Sequence, residues 1–203
     1  MGSSGLLDLE KQFAFYGAYH SNKVNILIHV CFVWPIVFGI VSLLAYTNPL
    51  APQLPVMAAL PFHEYMVLNY SFIFTAVYAW FYIILEPKSG SLAAFLMILC
   101  WIGANAVAQH IPYASGWRII AVSQVVCWSA QFIGHGVFEG RAPALLDNLV
   151  QAFLMAPYFV LLEVLHTIFH YEPYPGFTKN VQNKVGASIA EYRSKKAKAK
   201  RME

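Results

Sequence analysis

Apolar and polar positions fall along this chain in long blocks rather than in the period-two alternation of a half-buried strand. From Leu6 to Tyr19 the residues Leu6, Leu9, Phe13 and Tyr16 recur at helical spacing, with Asp8, Glu10, Lys11 and Gln12 largely opposite, which predicts an amphipathic helix lying in a membrane interface. Ser21, Asn22 and Lys23 interrupt it. Val24 to Tyr46 is apolar enough to span a bilayer, with Pro35 as an expected kink, and Thr47 to Pro61 carries Pro49, Pro52, Pro55 and Pro61 and reads as a loop. Further apolar runs follow at Met66 to Leu85, Leu92 to Ala108 and Trp117 to Ile133, separated by the turns Glu86 to Gly90 and Ile111 to Gly116. The stretch GHGVFEGRAPALLDN, Gly134 to Asn148, then concentrates charge and helix breakers. Leu149 to Phe169 is apolar again, broken by Pro157 and interrupted by Glu163 and His166. The pattern predicts an all-α polytopic membrane helix bundle: an N-terminal interfacial helix, four spans, and a further membrane-embedded helix whose length permits a fifth span but which also suits lying in or dipping into the bilayer.

Composition supports the bilayer as solvent. Hydrophobic residues make up 59% of the 203 and charged residues 11%, so in water the fold could not cover itself with polar groups. Lys11 and Lys23 precede the first span while the following loop has no basic residue, which puts the N-terminus in the cytosol. Four crossings return the C-terminus to the same side. The basic residues from Arg193 to Arg201 then suit an anionic leaflet, whereas no basic face with interleaved aromatics points to nucleic acid. The chain thus divides into one membrane-embedded domain over residues 1–178 and a basic cytosolic tail over 179–203. Its end, Lys200-Arg201-Met202-Glu203, resembles a dibasic retrieval signal. Cys31, Cys100 and Cys127 lie inside apolar runs and imply neither a disulfide framework nor a zinc site.

Seven histidines are the residues that carry chemistry: His20, His29, His63, His110, His135, His166 and His170. Ionisable groups at the edges of apolar segments are costly, and neutral imidazole is a common ligand for iron, zinc and copper. His20 and His29 lie on opposite sides of any continuous helix, so they share a metal only if Ser21, Asn22 and Lys23 bend the chain; Asn25 is placed to orient a ring. His135 lies between Gly134 and Gly136, which would permit a close backbone approach. Glu139 follows it by four residues, either as a ligand, as a group holding the ring, or as a surface partner of Arg141. Four spans place His20, His29 and His135 near the cytosolic side but leave His110 roughly 25 to 30 Å away at the far end of the third. Glu163, His166 and His170 in EVLHTIFH share a helical face and form a rival cluster, but the second Glu-x-x-His copy that a di-iron bundle needs is missing. G-x-S-x-G, H-E-x-x-H and glycine-rich phosphate loops are also missing.

Two blocks, Leu6 to Leu9 with Phe15 to His20 and on to His29, and Gly134 to Glu139 with Arg141 to Leu145, resemble the small endoplasmic-reticulum membrane dioxygenases that act on 2-hydroxy fatty acids in phytosphingosine breakdown. The similarity runs from about Leu6 to Val164. The resemblance implies an Fe(II)-dependent α-oxidation in which dioxygen and a 2-hydroxy fatty acid, such as 2-hydroxypalmitate, give an acid one carbon shorter. It places the metal-binding histidines on His20, His29, His110 and His135, with Arg141 near enough in sequence to pair with the substrate carboxylate. The competing expectations are a non-catalytic scaffold or small transporter with structural histidines, and a two-metal desaturase, whose clustered histidine boxes are missing here.

Overall fold

The computed structural model describes residues 5–142 and 148–200. Pro143, Ala144 and Leu145 of the second block, and Arg201 to Glu203 of the retrieval-like end, lie outside the described residues. Among those described, every regular element is helical, as the apolar blocks predict. The chain forms two compact units, one of residues 1–27 with 133–203 and one of residues 28–132.

In the first unit, helix α1 (Leu9–Tyr19) is started by Asp8, whose carboxylate accepts from the backbone N–H of Lys11 at 3.0 Å, and it buries Leu9, Phe13, Ala14, Tyr16, Ala18 and Tyr19. A three-residue break leads into α2 (Lys23–Ala45), capped by Asn22, whose side-chain oxygen accepts from Val24 N–H at 2.9 Å. Gly134–Glu139 is a π-helical segment, and a second one, Gln151–Met155, opens into α6 (Ala156–Phe169). Pro157 therefore does not break the last apolar helix. It sits just past the change from the π-helical segment to α6, where the backbone hydrogen-bond register already shifts, and the helix runs on through it. The helix ends at His170, which adopts a left-handed conformation (φ 53°).

The expected tail is a helix, α7 (Phe177–Lys200), and its first half is docked. Phe177 and Val181 are buried, and Val185 packs so closely on Gly17 of α1 that a Cβ there would lie 2.9 Å from it. Glu10 of α1 meets Lys184 at 2.6 Å and Asn180 Nδ2 at 3.1 Å, and accepts the Tyr174 hydroxyl. Helix α7 thus belongs to the same compact unit as α1.

In the second unit, α3 (Tyr70–Leu85) and α4 (Pro87–His110) form a hairpin over a single residue, Glu86, which caps α4 through Lys88 and Ser89. The hairpin is tight because a Cβ on Gly90 would fall 2.0 Å from the Tyr82 carbonyl. A buried amide knot ties it together: Asn69 Nδ2 donates to Asn105 Oδ1 at 2.9 Å and to the Ala45 carbonyl at 3.2 Å, and Asn105 Nδ2 donates to Ser71 Oγ. Helix α5 (Tyr113–Ile133) runs antiparallel to α2. Tyr46 occupies the space over Gly116 and Ile120 lies near Gly39, while Gln124 Nε2 donates to the Ile36 carbonyl at 3.1 Å.

Among the described residues, three helices are long and apolar enough to cross a membrane: Lys23–Ala45, Pro87–His110 and Gln151–Phe169. The last is the segment whose length permits a fifth span. The expected span at Met66 to Leu85 is the shorter apolar helix α3, of 16 residues. Helix α5 carries Arg118, Ser123, Gln124 and Gln131 and falls outside that set. Exposed side chains such as Trp80 (67%) and Val122 (66%) on α3 and α5 fit lipid rather than water as the surrounding medium.

Candidate metal centre

The end of α1, the second turn of α2 and the π-helical segment after α5 each contribute one buried histidine. His20 follows the last residue of α1, and its backbone N–H still bonds to Gly17. His29 lies on the buried face of α2, four residues after Asn25. His135 is held in the π-helical segment, whose end is set by Gly140 at φ 65°. One ring nitrogen from each of these three lies within 4.8 Å of the others, and all three residues are buried.

The local hydrogen bonding prepares these rings. His20 Nδ1 lies 2.7 Å from the Tyr16 carbonyl, an acceptor only, so Nδ1 carries the proton and Nε2 keeps the lone pair. The ring stacks on Tyr16 at 4.0 Å between centroids and meets His135 edge-on at 4.9 Å. Burial lowers the pKa of His135; Glu139 opposes that shift and Arg141 adds to it. The net effect favours the neutral imidazole that a metal requires.

Glu139 is committed to the bend. Its carboxylate accepts from the backbone N–H groups of Ser21 (3.1 Å) and Asn22 (3.0 Å), from Ser21 Oγ (2.5 Å) and from Asn25 Nδ2 (3.1 Å). Burial alone would raise its pKa, but these hydrogen bonds outweigh burial and hold the carboxyl below its ordinary value. Asn25 Nδ2 also donates to the Tyr19 carbonyl, so one amide joins the end of α1, the start of α2 and Glu139. The bend read from Ser21, Asn22 and Lys23 is therefore a clamp closed by a residue more than a hundred positions away.

Arg141 donates from Nη1 to the Ala18 carbonyl at 2.9 Å, and its guanidinium lies between the rings of Tyr19 (3.5 Å) and Tyr192 (4.5 Å). A cation at the C-terminal end of α1 also opposes the negative end of the helix dipole. The close approach expected at Gly136 is not used, since a Cβ there would meet nothing within 4 Å.

The other histidines lie elsewhere. His110 is exposed at the end of α4, with Nδ1 2.8 Å from the Ala106 carbonyl and its ring beside Tyr65, and is not among the clustered three. His63 is exposed in the proline-rich loop. Glu163 and His166 line a small cleft of about 120 Å³ with Phe13, Phe177 and Thr178, while His170 is spent on ending α6. The pattern of the sequence marks Tyr16 only as part of the apolar face of the first helix, although its position four residues before His20 on one helix is the signal that puts ring over ring.

Residues 6–168 match the family described as 2-hydroxy-palmitic acid dioxygenase Mpo1-like. The chain is also similar to the 2-hydroxy-palmitic acid dioxygenase MPO1 of Saccharomyces cerevisiae, with 33% identity over 161 residues, covering 79% of this chain and 82% of the yeast protein. No solved structure matches.

Proposed function

The chain belongs to the 2-hydroxy-palmitic acid dioxygenase Mpo1-like family, and from that premise we propose that it is a membrane enzyme that uses dioxygen and Fe(II) to convert a 2-hydroxy fatty acid into the acid one carbon shorter. The observation that carries the metal assignment is the buried convergence of His20, His29 and His135. Family membership leaves the scaffold and transporter readings without support.

The three residues fit an iron ion chemically. They are nitrogen donors in an apolar setting; His20 offers Nε2 as its basic nitrogen, and burial favours the neutral form of His135. Bound there, Fe(II) supplies the one-electron chemistry that lets dioxygen react with a closed-shell hydroxy acid. Oxidising a 2-hydroxy acid to a shortened acid with loss of the carboxyl carbon as carbon dioxide removes four electrons, and one dioxygen accepts four, so no separate reductant is needed.

The remaining work falls to the chain. Tyr16 and its carbonyl fix the plane and tautomer of His20. Glu139 holds the bend between His20 and His29, and Arg141 pins the end of α1 and docks Tyr192 of α7 upon it. Apolar helices of membrane-spanning length suit the acyl chain of the substrate and keep bulk water from the reacting carbon. We place the enzyme in the endoplasmic-reticulum membrane with both termini cytosolic, acting in sphingolipid breakdown, on the strength of the family resemblance and of the basic residues before α2 and along α7.

The test is iron quantification on the purified protein with a 2-hydroxypalmitate turnover assay under air. Close to one iron per chain, turnover abolished by an Fe(II) chelator and restored by added Fe(II), and a product one carbon shorter are the expected results. A metal-free preparation with undiminished turnover would remove the iron assignment.

A further inference from the structure

Gln131 lies on the buried face of α5, only 6% exposed, and neither its Nε2 nor its Oε1 has a hydrogen-bond partner among the described residues. Burying both ends of a carboxamide unsatisfied is expensive and rare. The other buried amides of the same unit are paired. Asn69 and Asn105 bond to each other and to the backbone, and even the half-buried Gln124, two turns earlier on α5, bonds to Ile36 and Trp128.

The register of α2 against α5 locates this amide. Gly116 faces Tyr46, Ile120 lies near Gly39 and Gln124 meets Ile36, so the two helices run antiparallel, eight residues forward along α5 answering to ten back along α2. Seven residues beyond Gln124 is Gln131, and seven before Ile36 is His29. The next buried side chain one turn further along the same chain is His135. Carried on at that rate, the pairing brings Gln131 to within about a turn of His29, and Gln131 precedes His135 by four residues.

We propose that the Gln131 carboxamide recognises the 2-hydroxycarboxylate head of the substrate, Nε2 donating to a carboxylate oxygen and Oε1 accepting from the 2-hydroxyl. The inference rests on the family's substrate class and adds the residue that selects it. A carboxamide carries a donor and an acceptor side by side, and a 2-hydroxy acid presents the complementary pair. A fatty acid without the hydroxyl leaves Oε1 unmatched, which a buried site rejects. Selection for the 2-hydroxyl thus follows from an amide that the fold itself does not satisfy.

The test uses the full-length, iron-loaded protein in detergent with Gln131→Leu and Gln131→Met. Displacement of a fluorescent fatty acid by 2-hydroxypalmitate and by palmitate reads binding preference without turnover; KM, iron content and melting temperature are measured alongside. Both variants should bind 2-hydroxypalmitate about tenfold more weakly or worse, losing the preference over palmitate. Iron content should hold, and melting temperature should stay level or rise, because an apolar group replaces an unsatisfied polar one. An unchanged preference in both variants overturns the proposal, as does a wild-type protein that binds the two acids equally. Failure of the enzymatic reading is recognised separately, by wild-type protein that turns over no 2-hydroxy acid in air while the displacement assay still reports on Gln131.

Discussion

The imidazole of His20 lies against the ring of Tyr16, centroids 4.0 Å and planes 18° apart, while its Nδ1 meets the carbonyl of that same residue at 2.7 Å. One residue therefore supplies both a stacking surface and a proton acceptor. The Tyr16 hydroxyl is buried without a hydrogen-bond partner among the described residues, so the ring and the carbonyl, rather than the hydroxyl, are what the fold uses there. Tyr16→Phe should keep iron content and lose no stability, since it removes an unsatisfied group. Tyr16→Ala should cost about 3 to 5 kcal/mol and much of the bound iron. Thermal unfolding and metal analysis of the two variants separate the roles.

Removing a ligand should differ from removing any other histidine. Alanine at His20, His29 or His135 should each empty the site of iron and abolish turnover, whereas His110→Ala and His170→Ala should retain stoichiometric iron. Metal analysis across the five variants checks this. Loss of iron in His110→Ala would bring the fourth histidine of the family expectation back into the ligand set.

Glu139 closes the bend without belonging to the clustered group, so its removal should act through geometry. Glu139→Gln retains an acceptor but turns an N–H2 toward donors, and should cost about 1 to 3 kcal/mol. Iron affinity should fall roughly 10- to 100-fold, the usual penalty for losing a group that orients ligands. A competition titration with a chelator measures the second effect, and denaturant unfolding the first.

Docking of α7 should depend on pH through Glu10. Its pKa is lowered from 4.5 to about 2, chiefly by the hydrogen bond with Lys184 and then by Tyr174, against a smaller effect of burial. A depressed carboxyl contributes stability that is fully present above its unfolded value and is lost as pH falls toward the folded one. Hydrogen-exchange protection across residues 177–185, measured against the intrinsic rate at each pH, should therefore be high and flat above about pH 5 and fall as acid approaches pH 2. In Glu10→Gln the protection should be lower at neutral pH and show no such acid limb.

Much of this arrangement was legible because bilayer helices follow from apolar run length alone. Lys23–Ala45 and Pro87–His110 fell within a few residues of their expected limits for that reason. The break at Ser21 to Lys23 was legible because three polar residues between apolar runs have no other use. Glu139 was not, since its partners are distant in sequence and a surface pair with Arg141 satisfied the same local pattern. Helix α7 escaped notice because lysines dominate it, although Phe177, Val181, Val185, Ile189 and Tyr192 recur at helical spacing. The π-helical segments escape any reading based on a 3.6-residue period, and Gly134–Glu139 is where that period fails and His135 is aimed.

The region shared with the family ends at residue 168, yet α7 begins at Phe177 and fills the hollow over Phe13 and Gly17. A fragment trimmed to the shared region would bare the aromatic side of the first helix, the one that ends in His20. Any relative lacking such a helix must roof that side by other means, a second protein or the lipid itself. The stretch beyond the matched region is thus the one against which the first helix leans.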